Sequence, residues 1–306
     1  MIVRPKTHWF RTLLIWRGSI VRAILPQLIL VLLISSLVTW AHGRINGYPV
    51  PLTAIPFTLL GVSIALFLGF RNNASYDRYW EGRRLWGTML NVTRSLARQS
   101  QSLVHLERHD PRMLEFLGLI AATIHGLKHQ LRNTDPGPDY ERYLTPERCE
   151  ELKCMRLKPA VITVYIGRWI AARRKEGQIG EFTAAMMDQT TGILSDTIGG
   201  CERIANTPLP FAYSIMVHRT VYLYCLLLPF GLVSSIGPMT PILSVLIAYT
   251  FLALEALAQE IEDPFGTEDN DLALGYMSWS IEQSIREMCG EPTSPAPTPI
   301  REWVLL

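Results

Sequence analysis

Seven carboxylates fall within residues 255–271: Glu255, Glu260, Glu262, Asp263, Glu268, Asp269 and Asp271. Carboxylate oxygens gathered by a turn are the ligands of a hard cation such as calcium. Pro264 and Gly266 supply the turn. The D-x-D-x-D-G spacing and closing glutamate of an EF-hand are missing, and an acidic face paired with the basic amino-terminal segment accounts for the same residues. His125 and His129 stand four apart, but Gly126 occupies the place where a hydrolytic zinc helix carries glutamate, so the pair reads as structural. Cys149, Cys154, Cys201, Cys225 and Cys289 are odd in number and scattered, which describes reduced thiols and not a disulfide framework. No G-x-S-x-G, P-loop or G-x-G-x-x-G is present. No nucleophile with a paired base can be picked out, and the chain does not read as an enzyme.

Two other constellations suit transport. Val62, Leu66 and Phe70 recur every four residues and share one stripe of a helix, with small Ser63 and Gly69 beside it. Such a stripe either faces lipid or, repeated around a symmetry axis, stacks as apolar rings that gate by dewetting. Directly after it, Arg71, Asn72, Asp77, Arg78, Trp80 and Glu81 mix both signs of charge with aromatic rings. That belt is either an anchor at headgroup depth or a set of ion pairs between subunits.

The elements that must carry these residues are membrane helices. A hydrocarbon layer of about 30 Å takes roughly 20 apolar residues. Residues 20–41 and 52–70 meet this and are joined by a short turn-rich link, forming a helical hairpin. Residues 221–236, holding Pro229 and Gly231, and residues 242–258 form a second pair around Gly237-Pro238-Met239-Thr240-Pro241. The proline predicts a kink buried against neighbours. The first span is too long, and its basic leader too extended, for a cleaved signal peptide. Arg4, Lys6, Arg11, Arg17 and Arg22 precede it, residues 71–219 are rich in Lys and Arg, and the two short links hold only Arg44. The positive-inside rule then puts both termini and the long middle segment in the cytosol.

Of the 306 residues, 48% are hydrophobic and 18% charged, below the ~25% charged of an average soluble protein. A mixed object follows, with a few spans and a substantial polar part. The net charge of +2 points to no nucleic-acid partner. Residues 71–219 carry apolar residues at helical spacing, with breaks at Asp110-Pro111, residues 135–138, Thr145-Pro146, Lys158-Pro159, Glu176-Gly177 and Thr207-Pro208. About five helices are expected there. Four regions result: 1–70 with the first hairpin, 71–219 helical and cytosolic, 220–258 with the second pair, and 259–306 with the acidic segment and a proline-rich tail ending in Trp303-Val304-Leu305-Leu306.

The run Phe70-Arg71-Asn72-Asn73-Ala74-Ser75-Tyr76-Asp77-Arg78-Tyr79-Trp80-Glu81 and the segment Asp263-Pro264-Phe265-Gly266-Thr267-Glu268-Asp269-Asn270-Asp271 resemble the bacterial branch of the bestrophins, and the span pattern agrees along nearly the whole chain. The resemblance implies an all-α integral membrane protein with four transmembrane helices per subunit and a large cytosolic helical region. It implies a homopentamer around one central pore in the bacterial inner membrane. Its partners would be the lipid bilayer, further copies of itself and small monovalent ions, with anions, chloride first, as the family default and cation selectivity as the alternative.

The resemblance makes Val62, Leu66 and Phe70 the pore neck and puts a second, cytosolic aperture within residues 177–182, at Ile179 or alternatively Phe182. Animal members clasp calcium with the matching acidic segment, which nominates Glu260, Asp263, Glu268 and Asp271. Here Glu260 and Asp263 replace amides and Thr267 interrupts the acids, favouring a structural ion pair. No other cofactor is implied.

Two other readings are a membrane scaffold or sensor that binds a cytosolic partner, and a secondary transporter. Against the transporter, there is no inverted repeat and no charge at the centre of a span.

Overall fold

The computed structural model describes residues 8–10, 15–16, 18–45, 48–50, 52–107 and 109–297. Arg4, Lys6, Arg11, Arg17 and the terminal Trp303-Val304-Leu305-Leu306 lie outside them. The described chain is helical apart from one small ladder. In order run α1 (Val21–Trp40), β1 (Arg44–Ile45), β2 (Tyr48–Pro49), α2 (Ala54–Leu103), α3 (Pro111–Arg132), α4 (Gly137–Tyr143), α5 (Pro146–Lys153), α6 (Lys158–Lys175) and α7 (Glu181–Asn206). They are followed by α8 (Phe211–Ile236), a single 3-10 turn (Gly237–Met239), α9 (Thr240–Glu262) and α10 (Leu274–Cys289). The ladder is antiparallel, with Arg44 opposite Pro49 and Ile45 opposite Tyr48, and it sits in the link expected to be a plain turn.

Two compact units divide the chain. One comprises residues 80–207 and those from 264 onward; the other comprises residues 8–79 and 208–263. Three helical stretches are long and apolar enough to cross a membrane: Val21–Trp40, Ala54–Leu103 and Phe211–Glu262, the last containing α8, the 3-10 turn and α9. In the apolar unit, α1 packs on α8 and α9. Ile24 and Val31, Phe57, Ile64 and Leu68, Val221 and Leu228, and Ala248 and Leu252 bring α1, α2, α8 and α9 into one core. Pro229 is buried inside α8 without ending it. Gly237 turns the chain with φ +52, a left-handed conformation that a side chain would strain.

The other unit is a helical stack centred on α3, which packs on α4, α6, α7 and α10. Each predicted proline break marks a helix boundary. At the first, the Asp110 carboxylate accepts from Arg112 N at 2.8 Å and Pro111 opens α3, because proline gives up no donor that the first turn would have used. The ring of Phe116 lies 4.3 Å from that of Trp169 in the core, and the Trp169 indole N–H donates to the Arg112 carbonyl at 2.8 Å. Gly200 on α7 has no room for a Cβ, which would stand 2.8 Å from Leu85 on α2; this is the close helix contact that the Gly199-Gly200 pair suggests. The proline-rich tail turns back along α10: Ser294 N donates to Gln283 Oε1 at 2.6 Å, and Trp279 Nε1 donates to Ser294 Oγ at 3.0 Å. Of the five cysteines, Cys154 is exposed, Cys149 half-buried, and Cys201, Cys225 and Cys289 are buried.

Candidate functional site

The α2 helix has an apolar stripe that the described residues leave uncovered. Val62 is 68% exposed, Leu66 57% and Phe70 57%, whereas Ile64 and Leu68 are buried in the core of the same unit. The four-residue spacing keeps the exposed three in line and turns the buried residues onto another face. A Cβ on Gly69 would meet nothing within 4 Å, so the stripe is bare at its end. Leu59, Leu60 and Phe67 are also exposed, as suits a helix with lipid on part of its surface. The helix does not stop where the charges begin but continues to Leu103.

The first charge after the stripe is buried. Arg71 Nη1 donates to Glu255 Oε1 at 3.1 Å, and Arg71 Nη2 lies 3.5 Å from Glu262 Oε2. Its Nε has no acceptor among the described residues. Asn72 Nδ2 donates to the carbonyls of Leu68 and Leu254, at 2.9 and 3.1 Å. Arg78 Nε donates to the Glu262 carbonyl at 3.0 Å, and a Glu262 carboxylate oxygen accepts from Leu209 N at 3.2 Å. In the other unit, Glu81 pairs with Arg203. Arg71, Asn72, Arg78 and Glu81 thus each have a partner within the chain. Asp77 and Trp80 are exposed.

Two of the acids, Glu255 and Glu262, pair with Arg71, while the basic residues Arg4, Lys6, Arg11 and Arg17 that could meet the acidic segment lie outside the described residues. A guanidinium fits because it stays charged and its planar fork spans two acceptors. His218 was missed. Its Nδ1 lies 3.0 Å from the same Glu255 Oε1 that Arg71 holds, and its ring lies 4.3 Å from that of Tyr222. The signal was available: Glu255 interrupts the apolar run 242–258, and a carboxylate there requires a cation.

The aperture candidates differ sharply. Ile179 is 4% exposed, buried among its own unit, while Phe182 is 90% exposed on the first turn of α7. Both lie at or just before the start of α7, and they differ in how far they are covered by their own unit.

Of the proposed calcium ligands, Glu260 and Asp263 belong to one unit and Glu268 and Asp271 to the other. In the latter, Asp271 is buried and its Oδ2 accepts from Glu268 N at 2.7 Å. Arg132 Nε and Nη2 each donate at 3.2 Å, to the carbonyls of Phe265 and Leu272. A fixed cation of the protein therefore already takes up loop oxygens that a metal would need. Burial pulls the Arg132 pKa downward, against the attraction of Asp271. Among the described residues no three His, Cys, Asp or Glu side chains converge as a metal site.

A second buried charge cluster joins α3, α4 and α10. His125 Nε2 lies 3.0 Å from Glu282 Oε2 and its Nδ1 3.3 Å from Asp139 Oδ2. Lys128 and His129 each reach Asp139 Oδ2 at 2.9 Å, and Arg286 Nε donates to Glu282 Oε1 at 2.7 Å. Burial works against a charged His125, but the Asp139 and Glu282 carboxylates outweigh it and hold the imidazole above its usual range. Burial would raise Glu282, yet hydrogen bonds from His125, Tyr143 and Arg286 bring it to about 2. Asp139 is held well below the carboxylate range, chiefly by His125 and His129. The histidine pair is a structural ion network, as its sequence context suggested.

Comparison with known proteins supplies an independent finding. The family profile described as Bacterial/Fungal Bestrophin protein matches residues 1–287. A voltage-dependent anion channel-forming protein of Ralstonia nicotianae is 48% identical over 305 residues, covering 100% of both chains. The voltage-dependent anion channel-forming protein YneE of Escherichia coli K12 is 40% identical over 296 residues, 97% of this chain and 96% of that one. The crystal structure of a bacterial bestrophin homolog from Klebsiella pneumoniae, 42% identical, superposes with a TM-score of 0.84 over 88% of this chain and 99% of its own.

Proposed function

Because this chain belongs to the bacterial and fungal bestrophin family, we propose that it is an anion channel of the bacterial inner membrane, built from five copies around one pore. Each subunit contributes four spans, with α8 and α9 crossing separately on either side of the Gly237 turn. Both termini and the helical unit around α3 face the cytosol, in keeping with the distribution of Lys and Arg. The neck is formed by Val62, Leu66 and Phe70 from each copy, and the aperture lies within residues 177–182, at Ile179 or alternatively at the exposed Phe182. In the acidic segment we favour protein ion pairs over a bound metal, with Arg132 on the loop carbonyls of Phe265 and Leu272.

The observation that carries this reading is the bare stripe on α2. Three large apolar side chains stand exposed in line on a helix whose next residue, Arg71, is buried against its own subunit. Repeated around an axis, such a stripe makes stacked apolar rings that admit ions only when wetted. Rings without charge set a barrier but not a sign, and the sign is taken from relatives named as anion-channel-forming.

The test is purified protein in planar bilayers. Leu66→Ala and Phe70→Ala raise the conductance severalfold if these rings are the constriction. The reversal potential under a potassium chloride gradient lies near the chloride equilibrium value. Unchanged currents in both variants defeat the neck, and a reversal near the potassium value defeats the anion assignment.

A further inference from the structure

The line of the stripe continues along α2 and turns from apolar to basic. Arg84 stands 18 residues after Leu66 (84 − 66), and Arg98 stands 36 after Val62 (98 − 62). At about 3.6 residues per turn these are about five and about ten whole turns, so each arginine repeats the angular position of a stripe residue. Trp80 and Asn91 fall within the same arc. All four are exposed, whereas Trp86, Met89 and Leu96, on the opposite side of the helix, are buried. A Cβ on Gly87, beside this line, would meet only the far end of Arg83, at 3.7 Å.

The two guanidiniums are also uncompensated. Elsewhere in the same unit Arg112, Arg148, Arg173, Arg203 and Arg286 each hold a carboxylate. Among the described residues the side chains of Arg84 and Arg98 have no hydrogen-bond or ion-pair partner. The acid on the same arc of α2 is the exposed Asp77. Two arginines against one aspartate leave this line of the helix net positive. Arg71 adds little to it, because Glu255 and Glu262 already balance that charge.

We propose that Arg84 and Arg98 of each copy line the ion path on the cytosolic side of the neck and give the channel its preference for small anions such as chloride. The proposal rests on the neck reading of Val62, Leu66 and Phe70 and deepens it. Apolar rings set a barrier without a sign, and rings of arginine supply one. Walls carrying one sign of charge raise the local concentration of the opposite ion by about 10- to 1,000-fold. A guanidinium holds that field at every working pH, and one without a partner keeps it for passing ions. The rival for the same side chains is an acid of a neighbouring copy, for which the exposed Asp188 and Asp196 of α7 are candidates. Pairs of that kind would join subunits and leave selectivity alone.

The experiment measures reversal potentials in planar bilayers under a potassium chloride gradient. It compares the wild type with the double variants Arg84→Gln/Arg98→Gln and Arg84→Lys/Arg98→Lys. The glutamine pair lowers the chloride-to-potassium permeability ratio about tenfold, the low end of what wall charge does to local ion concentration. The lysine pair keeps the wild-type ratio. Raising the salt from about 0.1 M to about 1 M shortens the screening length from about 10 Å to about 3 Å. The wild-type ratio then falls toward that of the glutamine pair, whose own ratio stays flat.

An unchanged ratio in the glutamine pair overturns the proposal and leaves the channel reading standing. A wild type that reverses near the potassium value overturns it as well. A wild type without current defeats the channel reading, and the proposal with it. Particle size and melting temperature in detergent decide the rival. The glutamine pair elutes and melts as the wild type does, since exposed substitutions of this kind change stability by less than about 0.5 kcal/mol. A smaller particle or a large fall in melting temperature assigns the arginines to a subunit contact and overturns their place on the ion path.

Discussion

Arg71 and His125 are both buried cations held between two carboxylates, but the protein uses different side chains for them. In the apolar unit the cation is a guanidinium, with Glu255 and Glu262 as its anions. In the helical stack it is an imidazole between Glu282 and Asp139, with Lys128 and Arg286 close by on the same acids. A titratable group in an apolar surrounding sheds its charge when desolvation outweighs its partners. Arginine does not, since its pKa stays above about 12. The stack has enough supporting donors to keep an imidazole charged; the apolar unit relies on a permanent charge.

That contrast can be broken by removing each cation in turn. Arg71→Met leaves two carboxylates facing an apolar core, and breaking a buried pair in this way costs about 3–5 kcal/mol. The expected outcome, read by chemical denaturation in detergent, is a chain that folds only marginally. Glu282→Gln removes charged hydrogen bonds from His125 and Arg286 in the stack, where Lys128 and Asp139 remain to compensate. Its cost is about 1.5–3 kcal/mol, and an equal or larger loss than in Arg71→Met would undo the comparison.

The pH response separates the clusters further. The raised pKa of His125 contributes stability that is fully present below its unfolded value of about 6.5 and is lost as pH rises through the folded value. The depressed Glu282 and Asp139 contribute stability present above the unfolded carboxylate values, near 4, and lost as pH falls through the folded ones. The melting temperature therefore declines on the alkaline side of about pH 6.5, and His125→Gln flattens that decline. The smallest effect is expected at Phe182. Its side chain touches little of its own subunit, so Phe182→Ala changes stability by less than about 0.5 kcal/mol while altering conductance. A large loss of stability would show that the ring is packed and not free to line an aperture.

How much of this was written in the residues differs between elements. The spans, the proline-marked starts of α3 and α6, and the continuation of α2 past Phe70 follow from local rules of hydropathy, proline chemistry and helix breaking. Each depends on neighbours in sequence. The stripe of Val62, Leu66 and Phe70 was legible as spacing, and its bareness became visible only with α1, α8 and α9 in place. The pairing of Arg71 with Glu255 joins residues 184 apart in the chain, and nothing local announces it beyond the rule that a buried charge needs an opposite one. Hydrophobicity alone ranks Ile179 and Phe182 alike, and only the fold shows that one is covered by its own unit and the other is not. The acidic segment suggested an ion pair by its departures from the calcium pattern, but its cation, Arg132, stands 139 residues before Asp271 (271 − 132) and no local rule picks it out.

Cys154 offers a practical handle on copy number. It is the exposed thiol among five, and burial pushes the Cys201 thiol up to about 12, out of reach of mild alkylation. A fluorophore carried on a maleimide would attach chiefly there, giving close to one dye per chain without engineering. Stepwise photobleaching of single detergent-held particles would then count protomers directly, and a ladder ending at any number other than five would redraw the ring.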